Sequence, residues 1–161
     1  MVIYFGADHR GFKLKEYLEG FLKNRGYEIA DLGNSVYDEA DDYPDFAAAV
    51  AKKVSLDYEQ SRGVLICGSG VGMDLVANKF AKVRSALAMT PDQAYDSRND
   101  DDANILILAA DYLEPEAARK ILEVWLATPF SREERFRRRL QKIHEIEQKH
   151  LKPVLEEEEE F

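Results

Sequence analysis

The sequence predicts an α/β fold: a five-stranded parallel sheet wound on both faces by helices, with a long C-terminal helix. Two observations carry this. Five short apolar runs recur along the 161 residues, and most are apolar throughout rather than alternating, as strands covered on both faces are. Stretches with apolar residues at helical spacing separate them, and alternating strands and helices imply a parallel, doubly wound sheet.

The elements follow in order. Val2–Ala7 is the first run. Leu14, Leu18, Phe21 and Leu22 then form one helical stripe. Residues 27–32 are the second run. Asp42-Tyr43-Pro44 opens a helix whose stripe is Phe46, Val50 and Val54, with proline in its first turn. Residues 64–67 are the third run, and the glycines that follow read as a tight turn before a helix over 73–81. Residues 85–89 and Ile105–Ala109 are the fourth and fifth runs; Pro91 starts a helix toward Arg98, and Pro115 starts one toward Leu126. The last helix, 132–150, is strongly charged, with only Phe136, Leu140, Ile143 and Ile146 as an apolar stripe. No strand follows it, and it is expected to lie across a partner subunit. Residues 1–150 are expected to form a single domain and 151–161 an acidic, disordered tail. There is no internal repeat.

Composition narrows the function. A net charge of −9 argues against a general nucleic-acid binder. The basic residues concentrate late, at Arg132, Arg135, Arg137, Arg138, Arg139 and Lys142, which suits a small anionic ligand. No run is long enough to span a bilayer, and the first residues lack the pattern of a signal peptide. The one cysteine excludes an internal disulfide and a CxxC zinc site. These features together point to the cytoplasm.

In an open α/β sheet, ligands bind outside the carboxyl ends of the strands. There the first strand ends in Asp8-His9-Arg10-Gly11, and the third in Cys67-Gly68-Ser69-Gly70-Val71-Gly72. A thiol beside bare amides at a helix N-terminus is expected to have a lowered pKa, as a base for a carbon-bound proton requires. The amides would hold the oxyanion that results. A buried structural cysteine is the plainer reading; the glycine loop favours the base. A dinucleotide turn needs G-x-G-x-x-G in the first βα unit, whereas here the spacing is G-x-G-x-G in mid-chain, which disfavours a nicotinamide enzyme.

Gly-Ala-Asp8-His9-Arg-Gly, Asp42-Tyr43-Pro44, Cys67-Gly-Ser-Gly-Val-Gly72, Ala77-Asn78-Lys79 and the Arg135/Arg139 pair occur in that order. Over roughly residues 1–150 the chain resembles the family of type B ribose-5-phosphate isomerases and galactose-6-phosphate isomerase subunits. The resemblance implies a Rossmann-like αβα sandwich and a metal-free, cofactor-independent aldose–ketose isomerase. It implies a homodimer or homotetramer with shared active sites, working through a cis-enediolate. By the same resemblance Cys67 is the base. Gly68, Ser69, Gly70, Val71 and Gly72 cradle the enediolate, and Asp8 and His9 bind substrate. Arg135 and Arg139, one helical turn apart on one face, grip phosphate. Asp8 is also a candidate helix N-cap, Tyr43 lines the pocket or sits in the core, and the late arginines also fit a solvated face paired with glutamates.

The chain departs from the family at four positions. The ring-opening histidine and its asparagine neighbour are replaced by Asp100 and Asp101, an arginine near the end of the fifth strand by Asp111, and a histidine after the first late arginine by Phe136. Either Asp100 opens the ring, with a pKa raised by Asp101 and Asp102, or no ring is opened, as for a tetrose phosphate. Ribose 5-phosphate is the expected substrate. Another sugar phosphate (tetrose or hexose) and a non-catalytic sugar-phosphate-binding subunit are the alternatives.

Overall fold

Five strands and six helices make up the structure, a computed structural model that describes residues 1–155. The strands are β1 (Val2–Ala7), β2 (Glu28–Asp31), β3 (Ser61–Cys67), β4 (Ser85–Leu87) and β5 (Ile105–Ala109). The helices are α1 (Phe12–Lys23), α2 (Tyr43–Leu56), α3 (Val71–Ala77), α4 (Pro91–Asn99), α5 (Pro115–Ala127) and α6 (Glu134–His150). The strands pair in parallel in the order β2-β1-β3-β5-β4. All five expected strands are present.

The central strands are apolar on both faces because helices cover both. Val64 and Ile66 of β3 face α1, α4 and α5, in a core with Leu18, Leu22, Leu122 and Trp125. Leu65 and Cys67 face the other way, toward Val50, Val54, Met73 and Ala77 of α2 and α3. The two edge strands β2 and β4 hold no fully buried residue, and both are shorter than their apolar runs suggest.

Three further elements differ from expectation at their ends. β3 begins at Ser61, because Ser61-Arg62-Gly63 pairs with Val2-Ile3-Tyr4 of β1; long-range pairing overrides poor strand propensity. α3 begins at Val71 and ends at Ala77, two turns rather than an extended helix to residue 81. α6 begins at Glu134, since Arg132 has φ 59° and cannot be helical. Of the expected tail, residues 156–161 lie outside the described residues.

α6 rests partly on its own domain. Phe136 is buried, and Glu147 accepts a hydrogen bond from the Lys82 amide at 3.2 Å. Ile143 and Ile146 are left exposed at 40% and 60%, so this chain covers only part of the stripe.

Strand polarity positions the site. The chain leaves β1 toward β2 on one side and later returns to β3 on the other. The crevice between the carboxyl ends of β1 and β3 is therefore the switch point where a ligand fits. The turn after β1 is pressed onto β3: a Cβ added at Gly11 would collide with the Ile66 carbonyl. This brings Asp8 and His9 beside Cys67 and its loop.

Candidate active site

Cys67 is the last residue of β3 and is 4% exposed. Its Sγ accepts a hydrogen bond from the Gly70 amide at 3.2 Å. Burial pushes the thiol pKa up; the amides of Met73, Gly70 and Ser69 pull it down, and the Asp8 carboxylate adds to the rise. The net shift is upward, which corrects the expectation of a lowered pKa. The reason is a balance of two effects: a two-turn helix presents a weak dipole, whereas a side chain packed in the α2–α3 core loses most of its water.

The glycine loop is shaped for close approach. Gly70 has φ 78°, a left-handed conformation, and a Cβ there would lie 2.6 Å from Leu87 Cδ1. Gly70→Ala should therefore destabilise by about 2–5 kcal/mol, roughly 1–2 from the backbone and 1–3 from overpacking. Gly20→Ala in α1, with nothing within 4 Å of the added carbon, should stabilise slightly. Urea midpoints of the two variants check this; equal midpoints would refute it. Ser69 and Val71 are exposed, and the Val71 amide donates to Ser69 Oγ at 3.3 Å. Tyr43, at the start of α2, lies over Gly72: a Cβ on Gly72 would meet its ring at 2.6 Å. At 38% exposure it is not a core tyrosine.

Asp8 is buried, and its Oδ1 accepts from the amides of Arg10 and Gly11 at 3.0 and 3.1 Å. It holds the turn rather than capping α1, whose N-cap is Gly11. His9 is paired with Asp41, and the Asp8 carboxylate is a second acidic neighbour of the imidazole. Atoms of Asp8, His9 and Asp41 that could bind a metal lie within 4.8 Å of one another. Their geometry is already explained by the direct His9–Asp41 bond.

Two residues without an assigned role in the sequence stand at this edge. The Arg10 guanidinium lies against Gly68, where a Cβ would strike it, and it forms an ion pair with Asp111. Asp111 is tied to the loop through its amide, which donates to the Gly68 carbonyl at 3.0 Å. Asp41 is the other residue without a role. Its signal was its place directly before Asp42-Tyr43-Pro44, but nothing local points it at a histidine 32 residues away.

The remaining expected site residues are at the opposite edge of the sheet. α4 runs back from the carboxyl end of β4, so Asp100 and Asp101 follow it at the strand N-termini. There the Asp101 carbonyl accepts from Arg84 Nε at 3.1 Å, and the Asn104 amide donates to the Arg84 carbonyl at 2.9 Å. Asp100 Oδ1 accepts from Asn99 Nδ2 at 2.8 Å. Burial and the neighbouring Asp100 raise the Asp101 pKa, against the pull of Arg139 and Arg84. Arg135 and Arg139 flank the Phe136 ring at 4.5 and 5.6 Å from its centroid. Arg135 also pairs with Glu133 at 3.0 Å, and Arg138 with Glu134 at 2.9 Å. Seven residues of β3 span about 20 Å, so one chain cannot bring Asp100, Asp101, Arg135 and Arg139 to its own Cys67.

Comparison with known proteins adds the chemistry. Residues 3–143 match the family model for Ribose/Galactose Isomerase. A probable ribose-5-phosphate isomerase B of Mycoplasma genitalium is 38% identical over 141 residues, covering 88% of this chain and 92% of that protein. Ribose-5-phosphate isomerase B of Escherichia coli is 38% identical over 147 residues, covering 91% and 97%. Among solved structures, the Mycoplasma genitalium ribose-5-phosphate isomerase B with bound ribulose-5-phosphate superposes with a TM-score of 0.89 at 37% identity, covering 91% of this chain and 96% of that one. The Clostridium thermocellum ribose-5-phosphate isomerase B gives 0.88 at 40% identity, covering 93% and 99%.

Proposed function

This chain belongs to the ribose/galactose isomerase family and is an aldose–ketose isomerase of sugar phosphates; from that premise we propose that it interconverts ribose 5-phosphate and ribulose 5-phosphate through a cis-enediolate, with Cys67 as the base and no metal or cofactor. The observation that carries this is the Cys67 sulfur facing the amides of its own glycine loop, beside Asp8 and His9 at the switch point.

The Cys67 thiolate takes the proton from C2 and returns it to C1. The amides of Gly68 to Gly72 and the Ser69 hydroxyl hold the enediolate oxygens, while Asp8, His9 and Tyr43 bind sugar hydroxyls. Magnitudes decide whether a raised thiol pKa defeats this. Each tenfold loss of thiolate costs about 1.4 kcal/mol, whereas each preorganised oxyanion donor contributes about 3 kcal/mol, so one donor offsets about a hundredfold loss.

Phosphate recognition needs a second copy. Arg135 and Arg139, with Asp100 and Asp101, would enter the cleft of a partner subunit, so the working form is a homodimer or homotetramer with shared active sites. Exposed Val71 and Leu75 on α3, beside the loop, offer apolar area for that contact. A single free cysteine fits work in a reducing cytoplasm.

The test is solvent deuterium uptake with tetrose, pentose and hexose phosphates in D2O. Ribose 5-phosphate should take up deuterium as it converts. Because only the thiolate is a base and burial raises its pKa, exchange at C1 of the acyclic ribulose 5-phosphate, which needs that base alone, should climb with pH through a midpoint above the ordinary thiol range. No uptake with any sugar phosphate would overturn the reading. Faster uptake with a tetrose or hexose would move the substrate.

A further inference from the structure

A five-carbon aldose phosphate exists in water as a furanose, and its C2 proton becomes acidic only after the ring opens to the aldehyde. We propose that His9 opens that ring through its Nε2, and that Asp41 is the positioning residue that aims it. This rests on the pentose phosphate reading above.

The imidazole is held at Nδ1 and touched by one neighbouring ring. Its Nδ1 lies 2.7 Å from Asp41 Oδ1, and the His9 amide donates to the same oxygen at 3.0 Å. The Tyr37 ring stands nearly perpendicular to it, centroids 6.4 Å apart at 84°. Asp41, whose side chain is 6% exposed, is held in turn by Asn34 Nδ2 at 3.0 Å on its other oxygen. The Asn34 carbonyl accepts from the buried Lys15 Nζ at 3.1 Å, and that ammonium pairs with Asp31 at 2.5 Å. The support therefore runs from α1 through two loop residues to the ring. His9 Nε2 makes no hydrogen bond to any of the described residues, and the His9 side chain is 27% exposed at the crevice. A carboxylate on Nδ1 sets the tautomer and orientation of an imidazole and favours its protonated form.

The step balances without a redox partner. Protonated His9 gives the Nε2 proton to the ring oxygen as the C1–O4 bond breaks. The electron pair of the O1–H bond becomes the second bond of the C1 carbonyl, and that proton leaves to water at the cleft mouth. Solvent then reprotonates Nε2. The product is the open hydroxyaldehyde that Cys67 deprotonates. The other two histidines are on α6, His144 and His150, beside Glu147 and residues 81–86, at the far edge from Cys67.

The acidity of His9 supports the assignment. The hydrogen bond to Asp41 is the main cause of a raised imidazole pKa; Asp8 adds to it, and Arg10 opposes it. These are the charged groups that face the ring. More of the acid form is thus present near neutral pH than for a free histidine.

Two reactions of the purified full-length protein separate ring opening from enolisation. Exchange of the C1 proton of ribulose 5-phosphate with D2O needs no ring, because that ketose is acyclic; conversion of ribose 5-phosphate needs both steps. In His9→Asn the ratio of conversion to exchange should fall by about 100-fold. In Asp41→Asn the ratio, which declines as His9 loses its proton with rising pH, should begin its decline at lower pH; a merely structural loss would scale both reactions together and leave that midpoint in place. An unchanged ratio in His9→Asn would overturn the proposal, as would a ratio that falls instead in Asp100→Asn. If the wild-type protein neither exchanges nor converts, the function proposed above fails and this inference fails with it.

Discussion

Cys67→Ala should lower deuterium exchange at C1 of ribulose 5-phosphate by 1,000-fold or more, within the range of about 10²–10⁴ that a positioned base contributes, while binding of the sugar phosphate survives. The expectation follows from the isolation of the sulfur. It is the only thiol in the chain, and the amide that faces it belongs to a loop whose shape depends on its glycines. Alanine removes one heavy atom from a site at the end of β3 and leaves the loop, Asp8, His9 and the Arg10–Asp111 pair in place. Cys67→Ser is the sharper control. A hydroxyl keeps the volume and the hydrogen bond but ionises far above any working pH, so it should be as inactive as alanine. Exchange is followed by proton NMR in D2O and binding by calorimetry. Exchange retained in either variant would remove Cys67 from its role as base.

Mixing two inactive variants should restore activity. Cys67→Ala lacks the base, and Arg135→Ala/Arg139→Ala lacks the phosphate grip; each homo-oligomer should convert ribose 5-phosphate at a few per cent of wild type or less. If the site is shared, a hybrid dimer holds one site with both defects and one with neither. Random pairing makes half the dimers hybrids, so the mixture should recover about a quarter of wild-type activity. The structural reason is the separation of the two clusters. Asp100 and Asp101 sit beside Arg84 and Asn104 at the strand N-termini, and the length of β3 divides them from Cys67. Native mass spectrometry verifies that hybrids form. Hybrids without recovered activity would mean that each chain grips its own phosphate, and the two-copy site would be abandoned.

Much of this site was legible as residue types in order. Asp8-His9 and the Cys67 glycine loop lie at carboxyl ends of strands, and strand ends can be read from where apolar runs stop. Arg10 was in view but carried no signal, because its partner Asp111 is 101 positions away on another strand end. Asp41 was invisible for the same reason: the bond to His9 crosses 32 residues. The direction of the Cys67 shift also escaped, since a helix start is written in the sequence and the dryness of the α2–α3 core is not.

The chain's own pattern determined the α/β class, the five strands, the helices between them and the loop that follows Cys67. Those depend on short-range periodicity and on glycine and proline, whose effects reach only a few residues. Tertiary structure alone decided that Ser61-Arg62-Gly63 is strand, that the thiol is harder to ionise than its helix suggests, that His9 is clamped by Asp41, and that the arginines stand at the far edge of the sheet. Each of these is set by burial or by contacts between distant segments, and such terms exist only once the layers have packed.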